Sequence, residues 1–238
     1  MIFAPFSFQN KIISADPLPS GIIMYYDAGN TASYPGTGTN VNDLSGNGRN
    51  ATLNNNITFS SSDGGYWNLN GNNGVSITGG TLSQILTEWS MWSAIYRTAG
   101  GFYDGVMFER TGPGNANGIG FFISGGRFNL VANNGTEITA AAGASDMPLN
   151  AWGFVAGGVD STNWFRQVYK SGVQYYSSGT KAAGSSNFND PIMLGQDRES
   201  GTDRTMAGRI AISIMWNRKL SQAELTQVND YFKSRYGI

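Results

Sequence analysis

Short apolar runs cut by turn-forming residues are the feature that most limits what this chain can fold into. Glycine, asparagine, serine and threonine supply 98 of its 238 residues, 33 of them glycine. Glycine opens positive φ, and asparagine and serine bond back to their own backbone, so such residues punctuate strands and turns and leave little room for long helices. Hydrophobic residues still make up 40% and aromatics 13% of the chain. That content supports a packed core and argues against disorder.

The runs read as short strands at residues 21–27, 57–60, 65–69, 75–78, 88–97, 106–110, 119–124, 127–132, 152–160, 164–170, 191–195 and 209–217. In the 88–97 run, Trp89, Met91, Ser93 and Ile95 share one face, and Ser90, Trp92, Ala94 and Tyr96 the other. In the 209–217 run, Ile210, Ile212, Ile214 and Trp216 alternate with Arg209, Ala211, Ser213 and Met215, which predicts a half-buried strand. Gly125-Gly126 marks a hairpin, and Asn47-Gly48 a tight turn. The segment 196–204 reads as a charged loop. Ser221 and Glu224 have the spacing of a capping box, followed by a stripe of Leu225, Val228, Tyr231 and Phe232, with Gly237 as the stop. The pattern predicts an all-β sandwich with one short C-terminal helix.

Composition removes several function classes. There is no cysteine and no histidine. Disulfides, thiolate nucleophiles, a serine–histidine triad and ordinary zinc sites are therefore excluded. Fifteen basic and sixteen acidic residues balance to a net charge of −1. The ten arginines are scattered, so no nucleic-acid surface is expected. Gly112–Gly118 lacks the Gly-Lys-Ser/Thr ending of a phosphate loop. No run is long enough for a membrane span, and residues 1–20 do not follow the order of a secretory signal. Those first 20 residues read instead as an arm carrying Phe3, Phe6, Phe8, Ile12 and Ile13, ended by Pro17-Leu18-Pro19. The arm is either an added edge strand of its own domain or a tether to a neighbouring subunit, with the domain itself at 21–238.

Particular segments carry a family resemblance. Asp43-Leu44-Ser45-Gly46-Asn47-Gly48-Arg49-Asn50, soon after Tyr26-Asp27-Ala28, resembles the opening of bacterial and phage laminin-G-like domains. Glu88-Trp89-Ser90-Met91-Trp92 resembles their first long core strand. Residues 152–160 resemble the tryptophan-led strand, whose partner ends here in Lys170-Ser171-Gly172. Met193-Leu194-Gly195-Gln196-Asp197, then Gly208-Arg209-Ile210 and residues 214–225, resemble the closing strand and helix. The resemblance covers most of residues 21–238. It implies a concanavalin A-like jelly roll of two antiparallel sheets, and specifies fold better than activity.

Related glucanases need two carboxylates on one strand at period-two spacing. The five glutamates here are Glu88, Glu109, Glu137, Glu199 and Glu224, and the nearest approach to such a pair is Asp197 with Glu199 in the charged loop. Hydrolysis is therefore not expected. Calcium is possible at Asp43 with Asn47, or at Asp197 with Asp203, against the simpler reading of Asp43 as an Asx turn. No cofactor is required. Aromatic platforms for a glycan are Trp92, Tyr96, Trp164, Tyr175 and Tyr176, each of which could instead be core. The resulting expectation is a non-catalytic lectin-like structural or adhesive protein at a virion surface, as a capsid decoration, fibre or tail component. It would be made in a host cytoplasm, contact other virion proteins and copies of itself, and attach to cell-surface polysaccharide. The alternative is a carbohydrate-binding module; a glycoside hydrolase ranks behind both.

Overall fold

The computed structural model describes residues 18–54, 57–71, 76–101, 103–109, 119–132, 136–138, 146–199 and 202–238, with backbone alone at 136–138, 198–199 and 202–203. Two large sheets face each other. The first runs Val173–Thr180, Asn163–Lys170, Trp152–Val159, Trp89–Arg97, Ala207–Trp216, Tyr66–Asn70, Thr58–Ser60, and Ile22–Asp27 also pairs with Ala207–Trp216. The second runs Thr136–Ile138, Arg127–Ala132, Ile119–Ser124, Asp104–Glu109, Pro191–Leu194, Ile77–Thr81, Ala51–Leu53, Asn40–Val41. The principal pairings are antiparallel; a parallel bridge, Thr205 to Gly105, ties in a further hairpin, and another joins Arg97 to Leu149. Gln84–Leu86 and Ser186–Phe188 form a separate pair. Among the described residues no helix is long and apolar enough to cross a membrane.

The main core lies between the sheets. Trp89, Met91, Ile95 and Val155 of the first sheet meet Met107, Phe121, Ile123 and Leu130 of the second. Gly157 fits closely there: a Cβ would stand 2.7 Å from Leu130 Cδ1, and the leucine would have to shift. A second apolar cluster covers the outer face of the first sheet, under the helix Gln222–Phe232. The capping box forms as expected: Ser221 Oγ accepts from the Glu224 amide, and Glu224 accepts from the Ser221 amide.

This second layer corrects three readings. The strand Ala207–Trp216 is buried along both faces, not half-buried. Its register shifts between Ile210 and Ile212, so Ile210 points into the main core while Ile212, Ile214 and Trp216 face the helix. The buried stripe of the helix is Leu225, Val228, Asn229 and Phe232. Tyr231 is not in it; it is 50% exposed. Asn229 replaces it because its Oδ1 accepts the indole N–H of Trp92 at 3.0 Å, which satisfies a donor inside an apolar layer.

Further elements depart from the sequence reading, among them the short strands Asn40–Val41, Ala51–Leu53, Gln84–Leu86 and Ser186–Phe188, which it did not include. Residues 196–204 are not a loop but belong to a hairpin, Gln196–Glu199 with Thr202–Thr205, although the expected local ion pair is present between Arg204 and Asp197 at 3.5 Å. Val173–Thr180 adds an unpredicted edge strand after the Ser171-Gly172 turn. Leu18 is buried, and Trp216 donates to the Pro19 carbonyl at 3.0 Å. Phe3, Phe6, Phe8, Ile12 and Ile13 lie outside the described residues.

Candidate functional site

Period-two alternation places Tyr25 and Asp27 on the same face of Ile22–Asp27. Their partners across the ladder, Ile214 and Ile212, face the helix, whereas Met24 and Tyr26 belong to the main core. The chain turns directly after Asp27, whose Oδ1 accepts from the Gly29 amide at 2.9 Å. From the other end of the sequence, the 3₁₀ turn Lys233–Tyr236 delivers Arg235 to the same place. Arg235 Nη1 donates to Asp27 Oδ2 at 2.8 Å, and Nε to the Gly64 carbonyl at 3.0 Å.

Glycines make room for this arginine. A Cβ on Gly29 would stand 1.7 Å from the Gly64 carbonyl oxygen, and one on Gly64, at φ +76°, would stand 2.4 Å from Arg235 Cγ. Asp27 is 3% exposed, so its charge depends on Arg235, the Gly29 amide and the Tyr25 hydroxyl, which donates to Oδ2 at 3.3 Å. Burial, and next the Asp27 carboxylate, push the Tyr25 hydroxyl far above its usual range, so it stays a proton donor. Burial opposes the Arg235 charge, but the Asp27 hydrogen bond and the neighbouring Tyr236, Asp27 and Tyr25 prevail and raise its pKa.

Two clefts open on either side of Arg235. One, of about 490 Å³, is lined by Tyr25, Asp27, Asn30, Thr31, Tyr231 and Arg235. The other, of about 410 Å³, has Tyr34, Pro35, Phe59, Ser61 and Gly64 on its walls. Gly29, Thr31 and Arg235 border both. The first cleft offers the exposed Tyr231 ring beside hydrogen-bonding groups, the combination that recognises a polyol with an apolar face.

None of the five aromatic residues picked from the sequence lines either cleft. Trp92 is fully buried against Phe232, with ring centroids 5.2 Å apart, and is no platform. Tyr96 is half-buried, 4.4 Å from the Arg209 guanidinium. Trp164 packs against the main core over Gly179, and its indole donates to the Thr180 carbonyl. Tyr175 lies 5.0 Å from the Lys170 ammonium, and Tyr176 stacks on Phe165 at 6.0 Å. Tyr175 and Tyr176 point to opposite faces of their strand, so these residues do not form one site.

The calcium candidates resolve into different roles. Asp43 Oδ1 accepts from the Tyr25 and Ser45 amides, and Oδ2 from the Ser45 hydroxyl and Arg49 amide, at 2.7–3.0 Å. Both oxygens are used to pin the loop to the strand below it, which is the Asx-turn arrangement and leaves the carboxylate poorly suited to a cation. Asn47 Nδ2 donates to Ser45 Oγ and the Ile23 carbonyl. Asp197 is buried against Arg204, while the Asp203 side chain lies outside the described residues. Among the described residues no three Asp or Glu groups gather in one place.

One more carboxyl stands out. Glu109 is 1% exposed, accepts from the Asn189 and Asp190 amides at 3.2 and 2.9 Å, and is pushed up to about 7, chiefly by burial. It lines neither cleft.

A family model described as the concanavalin A-like lectin/glucanases superfamily matches residues 69–226. No curated protein matches the chain in sequence. Among solved structures, domain 4 of AbnA, a GH43 extracellular arabinanase from Geobacillus stearothermophilus solved in complex with arabinotriose, aligns with a TM-score of 0.62 at 18% identity, over 87% of this chain and 98% of that one. The botulinum neurotoxin serotype G binding domain aligns at 0.63 and 16% identity, over 90% and 51%. A Trypanosoma rangeli sialidase mutant displaying trans-sialidase activity aligns at 0.57 and 12%, over 90% and 34%. At such identities the likeness speaks for fold, and this fold serves binding domains and glycosidases alike. With the family model spanning most of the chain and two antiparallel sheets forming its body, the protein belongs to the concanavalin A-like lectin/glucanase superfamily.

Proposed function

We propose that this chain is a non-catalytic carbohydrate-binding domain whose site is the cleft of Tyr25, Asp27, Asn30, Thr31, Tyr231 and Arg235. The observation that carries the reading is the half-exposed Tyr231 ring beside the Asp27–Arg235 pair. A sugar presents C–H groups on one face and hydroxyls at its rim, which suits an aromatic face bordered by fixed donors and acceptors. Glycoside hydrolysis uses two carboxyl groups, roughly 5–5.5 Å apart for retention or 6.5–9.5 Å for inversion. Asp27 is the one carboxylate lining either cleft among the described residues, and it is held by Arg235. That supports binding without turnover, and the reading calls for no cofactor.

The test is calorimetric titration of the purified chain with a panel of soluble polysaccharides, together with a reducing-end assay. Saturable binding that Tyr231→Ala weakens at least tenfold, with no reducing ends released, is expected. Release of reducing ends, or undiminished binding by Tyr231→Ala, would overturn the assignment.

A second reading is an assembly role through pairing with another copy of this chain. The observation favouring it is the edge strand Val173–Thr180, eight residues without a charge and paired on one side among the described residues. Long uncharged edges invite pairing with another chain. Light scattering behind gel filtration tests it: a stable oligomer that Ser178→Lys dissociates supports assembly, and a monomer at high concentration counts against it.

A further inference from the structure

The charge arrangement around Arg235 bears on which glycans the site accepts. Across both clefts, the ionisable groups of formal charge on the walls are Asp27 and Arg235. They neutralise each other at 2.8 Å. The Arg235 Nε is also occupied, by the Gly64 carbonyl, while Nη2 carries N–H groups not used in either contact. An acidic sugar entering here would meet an arginine already committed to a carboxylate, and would bring its own charge next to that carboxylate. Such like-charge juxtaposition disfavours a partner more than any remaining hydrogen bond favours it. A neutral sugar meets no such conflict.

The shape adds a second constraint. The clefts are not separate cavities on distant faces; they share Gly29, Thr31 and Arg235 as a common ridge. An aromatic ring stands on each side of it, Tyr231 in the first cleft and Phe59 in the second. Phe59 is half-buried, with Tyr34 edge-on at 5.2 Å fixing its ring. Polar groups along the ridge and its walls, from Asn30, Thr31 and Ser61, add no charge.

Resting on the carbohydrate-binding reading above, we infer that the ligand is an uncharged glycan chain lying across Arg235, with one sugar against Tyr231 and another against Phe59. The site is thus built for the interior of a neutral polysaccharide. A single acidic terminal sugar is the ligand it disfavours.

The experiment uses the full chain and defined probes. Linear arabino-oligosaccharides and β-1,4-gluco-oligosaccharides of increasing length are titrated by calorimetry, beside polygalacturonate and α-2,3-sialyllactose. At least one neutral series is expected to bind, with affinity rising tenfold or more from the disaccharide to the longest member. Neither acidic probe should match it. Tyr231→Ala and Phe59→Ala should each lower affinity for the longest member at least tenfold. Because Phe59 also packs on the core, Ser61→Trp provides a second variant that fills the second cleft from an exposed position; it should cost the long oligosaccharide and spare the short one. An acidic probe that binds as tightly as the neutral series overturns the neutral specificity. Affinity that stays flat with length, with Ser61→Trp silent, overturns the spanning mode. Binding by none of the probes or polysaccharides would instead sink the carbohydrate-binding reading on which both depend.

Discussion

Asp27 and Glu109 are both withdrawn from water, 3% and 1% exposed, yet the protein treats them differently. Asp27 ends the strand Ile22–Asp27 of the first sheet, where a cation reaches it from the far end of the chain. Glu109 ends a strand of the second sheet and receives two backbone N–H groups, with no cation paired to it among the described residues. The outcome at Glu109 is a carboxyl pushed up to about 7: burial raises it first, the amides of Asp190 and Asn189 pull it down, and the Asp190 charge raises it again. At Glu109 two amide dipoles do not offset the loss of water around the charge. The lesson is that the cleft keeps a fixed ion pair, while a strand end of the second sheet, outside both clefts, holds a carboxyl pushed up to about 7.

The largest effect that would test this contrast is the pH dependence contributed by Glu109. Its folded pKa lies above the usual value of 4.5, so the folded chain binds the proton more tightly than the unfolded chain. That contribution is fully present below about pH 4.5 and is lost as pH rises through about 7. The shift corresponds to about 3 kcal/mol. Urea unfolding of the wild type and Glu109→Gln should give similar stabilities at pH 4.5, with the variant ahead at pH 8. Parallel pH profiles would show that Glu109 titrates as an ordinary carboxylate.

Next in size is Arg235→Ala, which turns Asp27 into a second Glu109. Removing the cation leaves a buried carboxylate with the Gly29 amide and Tyr25 hydroxyl as its remaining partners. A loss of about 2 kcal/mol at pH 8 is expected, below the usual cost of breaking a fully buried pair because Arg235 is 24% exposed. Asp27→Asn in the same background should recover part of it at pH 8. A loss that Asp27→Asn leaves undiminished would mean that Arg235 acts by packing, not by charge.

How much of this was legible in the chain depends on the distance over which each feature is encoded. The capping box spans three residues, and it formed as its spacing requires. The Gly125-Gly126 hairpin is equally local, and its flanking strands match residue for residue. The outer face of Trp92 was not legible, because its cover is a helix whose Asn229 lies 137 residues further on. The inward turn of Ile210 was hidden by a one-residue bulge, which reverses alternation without any change in residue type. Val173–Thr180 carries too few apolar residues to announce itself as a strand; its place is set by the ladder to Asn163–Lys170. The site was half legible. Tyr25 and Asp27 are two apart on a recognisable strand, but Arg235 is 208 residues away from Asp27, and no local pattern joins them.

The smallest expected effect is also the one that separates the rim of the cleft from what lies beneath it. Tyr231 and Phe232 are adjacent on the helix and in edge contact, at 4.7 Å between centroids. Phe232 is 3% exposed against Trp92, whereas Tyr231 turns its ring to the cleft. A half-exposed ring contributes little to folding, so Tyr231→Ala should change stability by no more than about 0.5 kcal/mol. Its melting curve should follow the wild type at pH 5 and at pH 8, since the substitution leaves both Asp27–Arg235 and Glu109 in place. A loss above about 1 kcal/mol would place Tyr231 with the core and not with the binding surface. A neutral result makes the contrast sharper: the carboxyl and cation beneath would then be held by the fold, and the ring above them would be free to serve a ligand.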